Sequence, residues 1–281
     1  MSDADNKNPD ASRRQFLTST LIGVAAGAVT AGGIVAGFGG SDKYTACGEN
    51  DVDTWELTTD VIIVGAGAGG VAAAIGARAE GCNVLVLEMF ETLGGTSARS
   101  DGTIYLGGGT PVQKACGFDD SAAEMHKYLM AGEHAHPRPD MVQQYCEGSL
   151  GHFDWLIKNG VVFSERFYDG PGLPAAGESL FYSGDELVYP FRDIARPAPR
   201  GHISSAGAIA GSNEAGGNEA GGNEEKSSDA KGNGGQQLMQ ALIAGAKKAG
   251  VVFQTQSTAK RLVQSGDGRV LGVAVEHQGK Q

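Results

Sequence analysis

The clearest chemical signal in the sequence is a run of six small residues, Gly65-Ala66-Gly67-Ala68-Gly69-Gly70, which has the spacing G-x-G-x-x-G. In a turn from a strand into a helix, the first glycine permits the tight turn and the second lets the backbone approach a pyrophosphate. The third lets the helix pack closely against the sheet. Glu88 follows about 20 residues later, where a carboxylate can accept hydrogen bonds from a ribose diol. Together these residues predict a site for a dinucleotide without a 2′-phosphate, because Glu88 would repel that group.

The segments around this turn have the pattern that the turn requires. Val61-Ile62-Ile63-Val64 is a β-branched run typical of a strand buried on both faces. A small-residue helix follows over about 71–80 and ends at Gly81, and a second apolar strand, 84–87, leads to Glu88. A G-x-G-x-x-G motif alone is weak evidence for a dinucleotide site in a chain with 45 glycines. The full order of strand, turn, helix, strand and acid therefore supports a dinucleotide site over an ordinary βα turn, with the helix N-terminus directed at the phosphates.

Composition limits the other classes of function. The chain has 281 residues, a net charge of −11 and 41% hydrophobic residues, enough for a globular core. The acidic balance argues against a nucleic-acid partner. Its four cysteines lie far apart without a C-x-x-C pair, which predicts no zinc, iron–sulfur or haem attachment site and leaves a disulfide open. His134 and His136 lack a neighbouring carboxylate or thiolate cluster, so we predict loop residues and no metal.

The N-terminus has the pattern of an export signal. Residues 12–17 read Ser-Arg-Arg-Gln-Phe-Leu, and an uncharged stretch rich in Ala and Gly follows over 17–41. This arrangement resembles a twin-arginine (Tat) signal, whereas its glycine content makes the alternative, a transmembrane anchor, a poor spanning helix. A lipoprotein box ending at Cys47 fits badly with the charged residues before it. We therefore expect the Tat machinery to deliver the protein to the periplasm or cell surface, with no permanent membrane span unless the signal stays uncleaved.

A second glycine-rich element follows the predicted ribose acid. Gly94-Gly95-Thr96-Ser97 combines glycines that permit close backbone approach with hydroxyls that are neutral donors to phosphate. Ser100-Asp101-Gly102-Thr103-Ile104-Tyr105 comes next. With these elements, the span from Asp60 to Gly109 resembles the FAD-dependent oxidoreductase 2 family. That family includes fumarate reductase and succinate dehydrogenase flavoprotein subunits, soluble flavocytochrome-type fumarate reductases and 3-oxosteroid 1-dehydrogenases.

The resemblance implies an α/β fold, with a Rossmann-like (glutathione-reductase-type) FAD-binding domain and the start of an α+β substrate-capping domain. Thr96 to Gly102 and Gly107-Gly108 would run beside the pyrophosphate and the isoalloxazine, and the strand around Ala259 would read the adenine edge. Family members with covalent flavin attach it through a histidine in this region. There is none between Glu88 and Asp120, so we expect non-covalent FAD. The predicted cofactor-binding residues are Gly65, Ala66, Gly67, Ala68, Gly69, Gly70, Glu88, Met89, Gly94, Gly95, Thr96, Ser97, Ser100, Gly102, Gly107, Gly108 and Ala259.

The predicted domain organisation has four parts. Residues 1–50 are signal and linker, and 51–160 are the first part of the FAD-binding domain. Residues 161–233 begin the cap and include a low-complexity loop, 206–233, in which Asn-Glu-Ala-Gly-Gly repeats. Residues 234–281 are a return helix and a β-meander of the FAD-binding domain. Because family members continue beyond this meander, we expect either a piece of a longer protein or a truncated product.

The predicted activity is that of an FAD-dependent oxidoreductase acting on CH–CH groups. It would transfer hydride between FAD and a C–C bond next to a carbonyl or carboxylate of a small-molecule substrate. Oxidation of 3-ketosteroids and fumarate-type enoate reduction both stay open, as does the direction of reaction. A quinone- or cytochrome-linked redox partner would exchange the electrons, and the alternative is a non-catalytic or truncated flavin-binding module.

The sequence offers only loose catalytic candidates. By the resemblance, His202 matches a substrate-contacting histidine of the cap, with a structural loop histidine as the alternative. Tyr105 is a distant candidate for the tyrosine that acts as acid and base in steroid oxidation. Arg192, Arg196 and Arg200 form a local positive cluster that would bind a carboxylate or keto oxygen, or else form surface ion pairs.

Overall fold

The computed structural model of the chain describes residues 47–52, 54–132, 138–174, 177–205 and 234–279. Three predictions lie outside these residues: the export signal, the loop that holds His134 and His136, and the low-complexity segment 206–233. Within the described residues, no helix combines the length and the apolar character needed to cross a membrane.

The described chain alternates short strands with helices. The strands are β1 (Cys47–Gly48), β2 (Val61–Val64), β3 (Val84–Leu87), β4 (Ile104–Tyr105), β5 (Phe167–Tyr168), β6 (Leu180–Phe181), β7 (Gly201–His202), β8 (Val252–Gln254), β9 (Ser257–Gln264) and β10 (Val270–His277). The α-helices are α1 (Ala68–Ala79), α2 (Pro111–Ala115), α3 (Ala122–Ala131), α4 (Pro139–Lys158), α5 (Phe191–Ile194) and α6 (Gly234–Lys248), and 3-10 turns form at Glu49–Asp51 and Ser97–Arg99.

A parallel sheet with the order β2-β3-β8 contains the predicted strand pair. Helix α1 connects β2 to β3, as the sequence pattern indicates. All four residues of β3 are buried. The prediction that β2 is buried on both faces is wrong, because Ile62 and Val64 are 37% and 61% exposed. Among the described strands, β2 pairs only with β3 and so lies at an edge of this sheet.

A second sheet contains the predicted hairpin. Strands β9 and β10 pair antiparallel, and β1 pairs parallel with β9. The Gly-Asp-Gly turn at 266–268 connects β9 to β10, with the Ser265 N–H bound to the Arg269 carbonyl. Gly272 packs against Trp55, and Val263 is buried. These two sheets belong to one compact unit, which comprises the described residues among 47–65, 73–91 and 249–279.

The other compact unit comprises 66–72 and the described residues among 92–248. It contains a four-stranded sheet of order β4-β7-β6-β5 and the helices from α2 to α6. Its core includes Met125, Phe153, Leu156, Leu180 and Met239. Residues on both sides of the predicted boundary at 160/161 fall in this unit, so the unit boundaries differ from the predicted domain boundaries.

Candidate cofactor-binding site

The turn into helix α1 has the backbone geometry that its glycines predict. Gly65 has a φ of +95°, which favours glycine, and its N–H donates to the Leu87 carbonyl at 2.8 Å. Among the residues that the structure describes, no atom lies within 4 Å of a Cβ added at Gly65, and the same holds at Gly69 in the first turn of the helix. Because the first N–H groups of a helix lack intrahelical acceptors, this turn combines donors with space for an anionic group.

The second glycine-rich element lies directly on the start of α1. Gly94 donates its N–H to the Ala66 carbonyl at 3.1 Å, and Ser97 accepts from the Ala68 N–H at 3.2 Å through Oγ. Gly94 and Gly95 have φ values of +111° and +53°. A Cβ on Gly95 would lie 3.7 Å from the Gly67 Cα. Two segments that the sequence predicts separately as phosphate-binding thus form one glycine-lined surface, which fits a pyrophosphate.

Glu88 lies immediately after β3, at the position predicted for the ribose acid. The side chain is buried, and Oε1 accepts from the Phe90 N–H at 3.0 Å. Its own backbone N–H and carbonyl are bound to Gln254 and Ser257. These bonds fix the carboxylate at the carboxyl end of a parallel strand, where dinucleotide ribose groups bind.

An open cleft lies beside this strand end. Its volume is about 630 Å³, and it is lined by Met89, Gln256, Thr258, Glu276, Gln278 and Gly279. This volume lies within the range of small-molecule sites. Ala259, predicted to contact adenine, follows Thr258 on β9 and pairs with Val275 of β10. The cleft and the strand end therefore offer space for the adenosine part of the cofactor.

Ser100 and Gly102 hold the following loop against helix α6. The Ser100 hydroxyl donates to the Ser97 carbonyl at 2.8 Å and accepts from the Gly102 N–H at 3.2 Å. Gly102 has a φ of +78°, and a Cβ added there would overlap the backbone of Gly234 and Gly235. Glycine is thus required here both for its backbone conformation and for the close approach of α6.

Replacing Gly102 with alanine should lower the free energy of unfolding by about 2–4 kcal/mol, because the backbone strain and the overlap with α6 add. Urea unfolding measures this difference. Gly148→Ala is the matched control. Gly148 is exposed on α4, and no described atom lies within 4 Å of its added Cβ, so this substitution should raise the free energy of unfolding by up to about 1 kcal/mol. Equal effects of the two substitutions would contradict the close contact between the loop and α6.

The backbone N–H groups of the glycines at 107–109 donate hydrogen bonds to side chains of the protein itself. Gly107 donates its N–H to Ser149 Oγ at 2.9 Å, and Gly108 donates to Asp120 Oδ2 at 3.0 Å. Gln113 Oε1 accepts from both Gly109 and Thr110, at 3.0 and 2.9 Å. Gly107 and Gly108 are predicted to bind the cofactor, and any such contact uses atoms other than their N–H groups.

Asp120 and Arg200 form a buried ion pair that supports this glycine turn. Arg200 binds Asp120 through two bonds, from Nε at 2.9 Å and from Nη2 at 2.7 Å, and both side chains are fully buried. The guanidinium carbon lies 5.5 Å from the centre of the Tyr128 ring. Burial would lower the pKa of Arg200, but the bonds to Asp120 offset this effect and raise it. Of the three clustered arginines, Arg192 and Arg196 form exposed pairs with neighbouring aspartates, whereas Arg200 is part of the core.

His202 is fully buried, and both of its ring nitrogens have protein partners. Nδ1 lies 3.1 Å from the Arg200 carbonyl, which can only accept, so Nδ1 holds the proton. Nε2 then accepts from the Thr110 hydroxyl at 3.0 Å. Burial lowers the pKa of His202 to about 4. A neutral imidazole thus connects β7 to the start of α2, and a substrate contact by His202 stays a prediction.

Tyr105 pairs with Gly201 across β4 and β7, while Ile104 pairs with His202. Burial raises the pKa of the Tyr105 phenol far above its usual range, and the neighbouring Glu186 raises it further. The phenol therefore stays protonated at physiological pH and can donate a hydrogen bond, and a role of Tyr105 as acid and base stays a prediction. Asp120, Gln113 and Glu186 were not predicted from the sequence. The partner of Asp120, Arg200, lies 80 residues away, whereas the capping-box spacing of Thr110 and Gln113 could have indicated Gln113.

Comparison with known proteins places the chain among flavoproteins. Residues 60–281 match the model of a family described as FAD binding domain. The 3-oxo-5-alpha-steroid 4-dehydrogenase of Comamonas testosteroni is 31% identical over 236 residues, which cover 81% of the chain and 39% of that protein. Urocanate reductase of Eggerthella lenta is 40% identical over 135 residues, or 46% of the chain and 22% of that protein.

A solved structure extends the similarity to the fold. The 3-ketosteroid-Δ4-(5α)-dehydrogenase from Rhodococcus jostii RHA1, in complex with 4-androstene-3,17-dione, matches with a TM-score of 0.71 and 38% identity. The match covers 84% of the chain and 45% of that protein. The chain thus spans less than half the length of these relatives.

Proposed function

Because the chain belongs to the FAD binding domain family, we propose that it forms the cofactor-binding part of an exported FAD-dependent oxidoreductase that acts on C–C bonds next to a carbonyl. The predicted fold class and FAD as the cofactor are confirmed by the family match and by the similarity to the Rhodococcus structure. The family resemblance is confirmed as well, since the relatives include 3-oxosteroid dehydrogenases and a fumarate oxidoreductase.

One observation of this structure supports the cofactor site above all others. The glycine turn at 65–70 and the element at 94–97 contact each other through the bond between the Ala68 N–H and Ser97 Oγ. In the proposed site, the first turn of α1 and the Gly94–Gly95 backbone bind the pyrophosphate, and Glu88 binds the adenine-side ribose. FAD, when bound, supplies the hydride acceptor or donor. The absence of a histidine between Glu88 and Asp120 in the sequence supports non-covalent binding.

Substitutions in this site should weaken FAD binding without unfolding the protein. Glu88→Ala removes the ribose acceptor, and Gly67→Val fills the space that the pyrophosphate needs. We expect about a tenfold or greater rise in the dissociation constant of FAD for each, the equivalent of losing a hydrogen bond to a charged group. Flavin fluorescence quenching measures the binding, and Glu91→Ala, at an exposed position beyond the ribose acid, is the control. Unchanged affinity in both site variants would refute the assignment.

A 3-ketosteroid is the substrate class that the comparisons favour. The steroid dehydrogenase of Comamonas testosteroni matches over most of the chain, and the Rhodococcus structure contains a bound 3-ketosteroid. We propose oxidation of such a steroid next to its keto group, with hydride passing to FAD and a proton to the protein. Reduction of an α,β-unsaturated carboxylate is the second candidate, because urocanate reductase has the higher identity over a shorter stretch.

The two candidates are distinguished by offering substrates to the FAD-loaded protein, produced from its complete reading frame. The proposal predicts turnover of a saturated 3-ketosteroid with a dye as electron acceptor. Urocanate and fumarate, each supplied with a reduced dye, should react slowly or not at all. The opposite preference would select enoate reduction. A loaded protein that reacts with neither class would favour the non-catalytic flavin-binding alternative.

Export is part of the same proposal and rests on the twin arginines, Arg13 and Arg14, before a long uncharged stretch. The Tat route moves folded proteins and so suits an enzyme that folds around its cofactor. The electron partner would then be a quinone- or cytochrome-linked protein at or outside the membrane. Fractionation of the native cells tests this point, and protein confined to the cytoplasm would contradict it.

A further inference from the structure

Helix α6 begins with two adjacent buried glycines, Gly234 and Gly235. Glycine within a helix costs about 0.5–1 kcal/mol relative to alanine, so the pair calls for a reason in the packing. A Cβ added at Gly234 would lie 2.1 Å from the Asp101 carbonyl oxygen. A Cβ added at Gly235 would lie 2.4 Å from the carbonyl oxygens of both Ser97 and Ser100. Non-bonded carbon and oxygen atoms do not approach so closely, and glycine is therefore required at both positions.

The carbonyls beside these glycines suit the start of a helix electrostatically. The first N–H groups of a helix lack intrahelical acceptors and carry partial positive charge, whereas carbonyl oxygens carry partial negative charge. The Ser97 carbonyl also accepts from the Ser100 hydroxyl at 2.8 Å, which helps to hold it in this orientation. The start of α6 and the 3-10 turn Ser97–Arg99 thus attract each other as well as fit closely together.

A second point of packing lies one turn further along α6. Met239 follows Gly235 by four residues, so the two residues lie on the same face of the helix. Met239 is buried, and a Cβ added at Gly94 would lie 3.5 Å from the Met239 Cβ and 3.8 Å from its Cγ. The Met239 side chain is therefore next to Gly94. One face of α6 thus adjoins both ends of the second phosphate-binding element, with Gly235 at Ser97 and Met239 at Gly94.

The same two ends of the element also bond to the turn into α1. The Gly94 N–H donates to the Ala66 carbonyl at 3.1 Å, and Ser97 Oγ accepts from the Ala68 N–H at 3.2 Å. Gly94 and Ser97 therefore connect α6 on the one hand with the α1 turn on the other. A shift of α6 at either residue would be transmitted to the bonds that form the glycine-lined surface.

We propose that α6 holds the element 94–97 against the turn into α1, which makes Gly235 and Met239 positioning residues for the pyrophosphate of FAD. Both residues act through Gly94 and Ser97, and neither needs contact with the cofactor. This inference rests on the proposed FAD site and adds to that site a helix far from the glycine motifs in the chain. Substitutions on this face of α6 should weaken the binding of the phosphates and leave the binding of the adenosine part unchanged.

Two glycines of the same helix give a matched comparison in protein from the complete reading frame. Gly235→Ala places a methyl group against the Ser97 and Ser100 carbonyls, and Gly245→Ala places one 2.8 Å from the Asn159 carbonyl oxygen, after the end of α4. Both should lower the Tm, because both force a close overlap. Only Gly235→Ala should raise the dissociation constant of FAD, by about tenfold, the equivalent of losing a hydrogen bond to a charged group. Flavin fluorescence quenching measures this constant, and equal weakening by the two substitutions would overturn the inference.

Met239 supplies a second pair of variants, which decides the question if Gly235→Ala does not fold. Met239→Ala leaves a cavity next to Gly94 and should raise the dissociation constant of FAD about threefold or more. Met239→Leu nearly conserves the volume of the side chain and should bind FAD as the wild type does. Wild-type affinity in Met239→Ala, or an equal loss in Met239→Leu, would contradict a positioning role of α6.

Competition with FAD locates the defect within the cofactor. ADP contains the pyrophosphate, so its affinity should fall by the same factor as that of FAD in Gly235→Ala and in Met239→Ala. Adenosine lacks phosphate and should compete equally well in all variants. An equal loss for adenosine would overturn the inference while the wild type still binds FAD. Wild-type protein that binds no FAD would instead overturn the proposed function, and this inference with it.

Discussion

The Asp120→Ala variant is expected to lose about 3–5 kcal/mol of the free energy of unfolding, because it leaves the Arg200 charge buried and unpaired. The same carboxylate accepts from the Gly108 N–H and from Gln113 Nε2, at 3.0 and 3.2 Å, so these groups also lose their acceptor. Chemical denaturation monitored by circular dichroism measures the loss. The variant should also alter the glycine turn at 107–109, because that turn has no other acceptor for Gly108 among the described bonds.

The neighbouring residue supplies the control. Asp119 pairs with Arg196 at the surface, where both side chains are more than half exposed. Ion pairs that are exposed to solvent contribute little to stability. Asp119→Ala should therefore change the free energy of unfolding by less than about 1 kcal/mol. The two substitutions remove the same group from adjacent positions. Equal destabilisation by the two substitutions would contradict a stabilising role of the buried ion pair between Asp120 and Arg200.

The second large effect is a dependence of stability on pH that arises from His202. Burial lowers the pKa of His202 to about 4, so the folded protein does not bind the proton that the unfolded chain takes up below its ordinary pKa of about 6.5. The unfolded state therefore binds more protons between these values, and stability is lost as the pH falls through this window. The difference corresponds to about 3 kcal/mol between pH 6.5 and 4.

His202→Gln should remove most of this acid sensitivity while lowering stability at neutral pH, where the bond to Thr110 is weakened. Thermal unfolding followed from pH 7 to pH 4 measures both effects. His152 needs a parallel variant, His152→Gln, because burial lowers its pKa as well, although it is only partly enclosed. An unchanged pH profile in His202→Gln would show that His202 is accessible to solvent or already charged in the folded protein.

The backbone turn and the strand end of the candidate cofactor site could be predicted from the sequence because these features are local. Gly65, Gly67 and Glu88 lie on one βαβ unit, and the roles of these residues follow from their spacing along it. Gly94 and Ser97 are also recognisable by type. Their contact with Ala66 and Ala68 is a tertiary fact, but both segments were already predicted to serve the same phosphates.

The buried ion pair between Asp120 and Arg200 could not be predicted, because the two residues are far apart in the chain. Asp120 and Arg200 are separated by 80 residues, and nothing near either residue indicates the other. The sequence instead groups Arg200 with Arg192 and Arg196, but in the fold Arg200 is buried while the other two form exposed ion pairs. The prediction that β2 is buried on both faces was wrong for a similar reason. Its β-branched composition indicates a strand but does not fix which segments pack on that strand.

The same limit applies to the catalytic candidates. His202 and Tyr105 lie on paired strands, and the surroundings of both depend on long-range packing. His202 contacts Phe153, Phe163 and Thr110, whereas Tyr105 is near Glu186 and Arg200. These surroundings lower the pKa of His202 and raise the pKa of Tyr105, two effects that no local sequence pattern encodes.

The flavin content of the purified protein tests the central claim most directly. Protein from the complete reading frame, saturated with FAD and freed of excess, should be yellow and contain one FAD per chain. Acid precipitation should release the flavin into the supernatant, because no histidine lies between Glu88 and Asp120 to attach it covalently. Protein that stays colourless after incubation with FAD would contradict the claim that the segments at 65–70 and 94–97 form an FAD site.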